Sequence, residues 1–352
     1  MKKIVSGLLL AASCTLSPAW AVDTMDVLSQ PAVLGAQSLQ AVLLDISQAG
    51  SRLVAVGERG VVLLSDDGGQ HWRQAANPVS ATLTSVQFVD AKDGWAVGHS
   101  GVVLHSSDGG ESWHLQLDGK QAAALELKAA QASGDAGRIA AAQRLTADGA
   151  DKPLLVVNFV DAQRGVVLGA YGLAMITEDG GKTWRSWMGE VPNPRGLHLY
   201  AMARSGDEII IAGEQGLLLH SADGGLTFDS IEGPYEGSYF AAAILPDRRV
   251  LVGGLRGKLF SSVDSGATFQ PVENPIPASL NAIRVVGDHL FLVNQAGMLL
   301  RSGLTDIRLQ PVPVSDGLPL AAATQAADGA LVAVGMAGAR RLAPSSNTKT
   351  AD

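Results

Sequence analysis

One phrase recurs along this chain and limits what it can fold into: Gly-x-x-Gly, an apolar run, then Ser/Thr-x-Asp-Gly-Gly-x-x-Trp. Internal periods of 20–50 residues mark arrays of one supersecondary unit. The first glycine of the phrase stands at Gly57, Gly98, Gly169, Gly213, Gly254 and Gly335, with Asn294 in the equivalent place before Gly297. The seven copies are spaced by 41, 71, 44, 41, 40 and 41 residues, so every interval but the second sits near one value. Inside a copy, apolar segments of four to eight residues alternate with Gly-, Asp- and Ser-rich turns, which is a strand and hairpin pattern. In the second copy the expected strands, termed A to D, are Thr84–Val89, Gly94–Gly98, Val102–Ser106 and Ser112–Gln116. Four antiparallel strands per ~40 residues make a propeller blade. One blade cannot bury both of its faces alone, so seven copies closing a ring predict an all-β, seven-bladed propeller.

The turns account for their own residues. Between strands B and C, two glycines flank a two-residue tip, where positive φ suits Gly and is tolerated by Asn, as at Asn294. Between C and D lies the Asp box: Ser65 to Trp72, Ser106 to Trp113, Thr177 to Trp184, Ser221 to Phe228, and Ser262 to Phe269, the last with Ser265 in place of the first Gly. A sixth copy, Ser302 to Leu309, has lost the glycines and the ring. Asp67, Asp108, Asp179, Asp223 and Asp264 are expected to hold these turns by accepting backbone N–H groups, with the Ser or Thr hydroxyl locking the preceding strand. A catalytic or calcium-binding role fits them poorly: one residue per blade scatters around the rim, and the turn lacks the alternating acids of a calcium loop.

Two irregularities follow. The second interval carries about 30 extra residues, and within 117–151 the stretches Lys120–Ala132 and Arg138–Ala147 are rich in strong helix formers, broken at Ser133–Gly137. A helical hairpin on the face opposite the Asp boxes is expected. The last copy has no fourth strand after Ala339–Leu342, and Ala32-Val33-Leu34 within residues 25–38 are expected to supply it, hiding an edge. The alternative is a three-stranded last blade.

At the amino end, Lys2 and Lys3 precede an apolar run Ile4–Ala12 and Ala19-Trp20-Ala21, the form of an export signal cleaved after Ala21. The run is too short to span a membrane as a helix. The propeller then spans 22–343, and 344–352 read as a disordered polar tail. Cys14, the only cysteine, lies inside the signal, so the mature chain has no disulfide and no thiolate chemistry unless Cys14 itself is the acylated residue of a lipoprotein. Removing Lys2 and Lys3 from a formal charge of −8 leaves −8 − 2 = −10. That balance argues against nucleic acid as a partner.

The array of Gly-x-x-Gly followed by Ser/Thr-x-Asp-Gly-Gly-x-x-Trp resembles the photosystem II stability/assembly factor family of Asp-box propellers, over nearly the whole mature chain. The resemblance implies a periplasmic or lumenal propeller that binds a membrane protein during assembly, without enzymatic activity or cofactor. In a host without photosynthesis it implies an envelope complex or transporter as client. The rival class is an Asp-box glycoside hydrolase, which needs an arginine cluster, a tyrosine nucleophile and an acid. The Arg-Ile-Pro motif of sialidases is absent, and Tyr171, Tyr200, Tyr235 and Tyr239 have no paired acids beside them in the sequence. His99, His105 and His114 show no metal-ligand spacing, and no phosphate loop, serine elbow or Cys-x-x-Cys occurs.

A partner surface is therefore sought where the copies differ. The B–C tips read Glu58-Arg59, His99-Ser100, Ala170-Tyr171, Glu214-Gln215, Leu255-Arg256, Gln295-Ala296 and Met336-Ala337. Within them Glu58, Arg59, His99, Tyr171, Gln215, Arg256 and Gln295 are the candidate contacts. The adjoining D–A connections add Arg195, His198, Tyr235 and Tyr239, types that often anchor interfaces.

Overall fold

The computed structural model describes residues 26–314 and 317–342. The expected export signal with Cys14, and the expected tail 344–352, lie outside the described residues. Seven antiparallel sheets follow one another along the chain, six of four strands and a last one of three. Blade 1 comprises Leu43–Ala49, Arg52–Gly57, Val62–Ser65 and Arg73–Gln74, and blade 2 Leu83–Phe88, Gly94–Gly98, Val103–Ser106 and His114–Leu117. Strand A of each blade lines a central channel, a cavity of about 340 Å³ reached by residues from all seven blades. Against its wall Asp45 is buried, its carboxylate accepting from Ser85 Oγ at 2.8 Å, Val86 N–H at 3.0 Å, Ile46 N–H at 2.9 Å and Arg284 Nη2 at 3.2 Å. One carboxylate thereby ties blades 1, 2 and 6.

The core consists of seven apolar clusters, one at each blade boundary. Strand alternation explains why. In strand B of blade 1, Val54 and Val56 pack toward blade 2, whereas Leu53 and Ala55 pack toward blade 7. All are buried, so the middle strands read as continuous hydrophobic runs.

The turns sort to two faces. The Asp boxes bond the A–B turn of their own blade, with Gly109 N–H donating to Lys92 O, Gly180 N–H to Gln163 O and Gly224 N–H to Asp207 O. The B–C tips lie against the D–A connections, as where Asn77 Nδ2 donates to Gly60 O at 2.8 Å. The glycines at the tips act differently from the sequence expectation. Gly60, the second of the pair, has φ of 73°, as a left-handed turn residue should. Gly57, the first, is extended at φ −169°, a conformation open to any residue. What requires glycine there is space: a Cβ would stand 2.0 Å from the Val42 carbonyl oxygen. Asn294 likewise has no positive φ; its side chain accepts from Ala296 and Met298 N–H at 3.0 Å, an Asx turn.

The inserted hairpin is helical: α1 spans Gly119–Ser133 and α2 Ala136–Asp148. Asp118 and Gln121 form a reciprocal capping box at the start of α1, and Gly134 ends it at φ 72°. α1 meets the B–C tip of blade 2, the Cα of Gly119 standing so close that a Cβ on Gly101 would be 2.6 Å from it. It also packs on Arg185–Ser186, the outer strand of blade 3. Glu126, buried, takes Arg138 Nε and Nη2 at 2.9 Å each and the Ser186 hydroxyl.

Closure of the ring differs from the expectation. Among the described residues, blade 7 has three strands, Leu320–Gln325, Leu331–Gly335 and Gly338–Leu342, and Ala32-Val33-Leu34 do not complete it. They run instead along the outer edge of blade 1: Ala32 N–H donates to Asn77 O, and Gln74 clasps the segment, donating to Val33 O and accepting from Gly35 N–H, all at 3.0 Å. Only the following 3-10 turn, Ala36–Gln40, reaches blade 7, where it stands in for a D–A connection against Gly338. Blades 7 and 1 meet through side chains, including Arg341 Nη1 to Gly68 O.

Candidate functional site

In blades 1 to 5 the second tip residue is a non-glycine in the left-handed region: Arg59 (φ 53°), Ser100 (59°), Tyr171 (56°), Gln215 (51°) and Arg256 (57°). That conformation costs an L-residue about 1 kcal/mol or more. It also aims five side chains of four chemical kinds off one face of the ring. Arg59, Tyr171, Gln215 and Arg256 are exposed, as are His99 and Gln295 on neighbouring tips.

The candidates converge best over blades 3 and 4. Tyr171 lies 4.8 Å from His198, ring to ring, and His198 5.8 Å from Tyr200, which in turn meets Phe240 at 5.1 Å at the channel wall. Lys152 Nζ sits 4.5 Å above the Tyr171 ring, a cation–π contact. Arg195 Nη1 donates to Gln215 Oε1 at 3.2 Å. An aromatic track with basic neighbours thus runs from the rim into the channel. Glu214 holds its base, accepting from His198 N–H at 3.2 Å and lying 2.7 Å from His198 Nδ1. These contacts keep the Glu214 carboxyl below its ordinary range, the backbone bond from His198 first among them. Glu58 plays the same part in blade 1, accepting from Val42 N–H at 3.0 Å, so it shapes its turn.

Tyr239 is buried, its hydroxyl donating to Tyr235 O at 3.2 Å, and burial first of all pushes that phenol up to about 12. It lies in the core between blades 4 and 5. Arg59, His99 and Arg256 each stand on a separate tip. Reasoning from sequence missed Lys152, Tyr200 and Phe240, since nothing in the repeat distinguishes them. His105 bonds Asp93 at 3.1 Å and stacks on Trp95, apart from the tip that carries His99. Among the described residues no group of three or more His, Cys, Asp or Glu is arranged to hold a metal.

On the opposite face the Asp boxes repeat one geometry. Asp108 Oδ1 accepts from Ser106 Oγ at 2.8 Å and Ser112 N–H at 3.0 Å, Oδ2 from Ser112 Oγ at 2.6 Å, while Ser106 Oγ accepts from Gly110 N–H at 2.8 Å. Asp67, Asp179, Asp223 and Asp264 bond alike. Every one of the five carboxyls is held below its ordinary range, Asp264 at about 2, where the Thr268 hydroxyl is the largest cause.

Compared with known proteins, the chain matches at two levels. A 71-residue stretch, 20% of this chain and 21% of the relative, is 37% identical to Photosystem II assembly lipoprotein Ycf48 of Synechococcus sp. (strain CC9902). That match spans about a fifth of the relative's length. In three dimensions, YCF48 bound to D1 peptide superposes with a TM-score of 0.64 over 88% of this chain and 94% of that one, at 18% identity. YCF48 from Cyanidioschyzon merolae gives 0.64 over 88% and 97%, at 17%. A WD40 β-propeller domain of Doa1 reaches 0.59 over 89% and 95%, at 10% identity; these likenesses establish the propeller. The sequence model described as Photosynthesis system II assembly factor YCF48 matches residues 33–141 and 141–235. That is more than half of the chain, which therefore belongs to this family.

Proposed function

We propose that this chain is an exported, non-catalytic assembly or stability factor that binds a membrane-protein complex of the cell envelope through the face built from the B–C tips and D–A connections. The observation that carries the proposal is the row of five non-glycine tips in left-handed backbone. Strain of this kind persists where the surrounding fold overrides it, and it gathers at functional sites. The aromatic track Tyr171, His198, Tyr200, Phe240 supplies rigid apolar area with polar edges, which suits a peptide segment of a partner. A solved relative is YCF48 bound to D1 peptide, so a polypeptide ligand is the natural class to test. The export signal expected at the amino end supports a client in the periplasm or at a membrane surface facing it, with acylation at Cys14 as the second route to that surface.

The test is recovery of partners from solubilised membranes. Arg59→Glu combined with Arg256→Glu, and separately Tyr171→Ala, are expected to lower recovery severalfold while Lys182→Glu on the Asp-box face leaves it unchanged. Full recovery by the tip variants with loss in Lys182→Glu would move the site to the other face.

A further inference from the structure

Among the described residues, two outside the B–C tips also hold left-handed backbone without being glycine, and both belong to the Asp-box face of blade 5. Ser265, at φ 56°, replaces the first glycine of its Asp box, the place that Gly68, Gly109, Gly180 and Gly224 fill at 72° to 76°. Arg248, at φ 70°, closes the A–B turn with its N–H on Leu245 O at 2.8 Å, where blade 7 closes the matching turn with Gly329 on Ala326 O at 2.9 Å. Backbone held in a conformation costly to an L-residue gathers at functional sites. Here both side chains act on one carboxylate of blade 4. Arg248 Nη2 donates to Glu208 Oε2 at 2.5 Å. Burial works to raise the Glu208 carboxyl, but the Ser265 hydroxyl and the Arg248 guanidinium outweigh it and hold the group below its ordinary range.

The other oxygen, Glu208 Oε1, is buried without a hydrogen-bond partner, and so is His220 Nε2. The two atoms stand 3.7 Å apart, too far for a direct bond. Strand alternation brings them together: Ile210 and Leu218 pack toward blade 5, and Glu208 and His220 follow them on the same face, two residues away along each strand. A buried acceptor left unbonded is costly. The pair lines a cavity of about 460 Å³ together with Ser205, Asp207, Ala222, Arg248 and Ser265. Its charged side chains are two acids, Asp207 and Glu208, and Arg248, which is already engaged with Glu208. The Asp boxes on either side of it, in blades 4 and 5, are apolar where the others are polar. They expose Ala222 and Leu226, and Val263 and Ala267, with Leu226 at 79% and Val263 at 80%. Blade 3 has Glu178 and Lys182 at those places.

We infer that this cavity is a second binding site, for a primary ammonium on an apolar stem. Ionised Glu208 Oε1 can only accept, and His220 Nε2 accepts when the ring proton is on Nδ1, so a group that donates to both is required. One ammonium nitrogen about 2.8 Å from each atom fits across the gap, and its charge strengthens both bonds. The exposed apolar residues of the flanking turns suit the stem. An anion would meet the Glu208 carboxylate. A metal ion would find two ligands, and among the described residues no third His, Cys, Asp or Glu completes a set. The site faces away from the B–C tips, so it stands or falls independently of the function proposed above.

The probe is n-pentylammonium, titrated into the full mature chain at constant pH and ionic strength, and the readout is the NMR shift of the His220 ring and the Ser265 amide. Saturable shifts are expected, with n-pentanol, the same shape without the charge, binding about tenfold more weakly or worse. Glu208→Gln should weaken the amine by a similar factor, and if that variant fails to fold the comparison of amine with alcohol still decides. Nα-acetyl-lysinamide and leucinamide then separate the sources of such a group. Binding of the first marks a lysine side chain, of the second a free amino terminus, and of pentylammonium alone a free alkylamine. Equal binding of amine and alcohol, or no saturable shift with the amine, overturns the proposal and leaves a water between Glu208 and His220 as the simplest occupant.

Discussion

A single carboxylate at each Asp box fixes a turn that would otherwise be a loose glycine loop, and its chemistry sets a pH limit. Asp264 is held at about 2, against 3.8 ordinarily, by the Thr268 hydroxyl, the Thr268 N–H and Ser262. Because the folded state prefers the ionised form, the stabilisation is complete above about pH 4 and is lost as pH falls through about 2. Melting temperature followed from pH 6 to 2 should therefore fall mainly below pH 4, and Asp264→Asn should flatten the fall. Asp108→Ala should cost about 1 kcal/mol, the net worth of hydrogen bonds at a half-solvated site, read as a lower melting temperature with partner capture intact. Gly98→Ala should cost more, about 2–3 kcal/mol from forced overlap, because a Cβ would sit 2.1 Å from the Thr82 oxygen. Here the sequence identified the right residues for a partly wrong reason. Glycine spacing signals a tight turn, but it does not distinguish a positive φ from a close backbone approach. Tyr239 was misplaced for a similar reason: a tyrosine beside a loop looks like an anchor until the strand phase turns it inward.

At the level of elements, strand identity was legible because alternation and turn residues repeat seven times, so an error in one copy is corrected by the rest. In blade 2 only the ends moved, strand A starting at Leu83 and strand D ending at Leu117. The hairpin was equally plain from its Ala- and Leu-rich composition and its Gly134 break. Composition could not reveal how it attaches. Glu126 is paired by Arg138 and bonded to Ser186 across the outer edge of blade 3, so α1 covers a strand edge as well as bordering the tip of His99. Glu126→Gln should leave Arg138 without its charge partner and cost about 2–3 kcal/mol, somewhat less than a fully buried pair, because the Arg138 side chain is 25% exposed. The expected signature is faster hydrogen exchange in α1 and in Arg185–Ser186, with the other blades unaffected. Replacing 119–150 by a short glycine linker should leave the ring folded and weaken partner recovery, if the hairpin borders the docking face as proposed.

For the whole molecule, the count of blades followed from spacing alone, whereas the closure did not. The segment Ala32-Val33-Leu34 has the composition of a strand, yet Gln74 and Asn77 bond it to the outer edge of blade 1 instead. Two truncations separate the parts of this segment. A chain beginning at Gly35 should keep most of its stability, since it loses mainly exposed residues and the bonds to Gln74, Asn77 and Ser80. A chain beginning at Ala41 loses the turn that stands against Gly338, and should unfold at lower temperature and with less cooperativity. Thermal melts of the two decide the point.

The ring is mechanically a lock washer. Six of its boundaries are crossed by covalent chain as well as by packed side chains, whereas among the described residues the seventh, between blades 7 and 1, is closed by packing and side-chain hydrogen bonds such as Arg341 Nη1 to Gly68 O. Any load that strains the circle, whether heat, a wedge in the channel or a pull from a bound membrane protein, should part it there first and let it spread without unfolding a blade. Joining the present ends and cutting the chain instead between blades 2 and 3, in place of the hairpin, would carry the weak joint to a new bearing. The direction in which the molecule yields would turn with it.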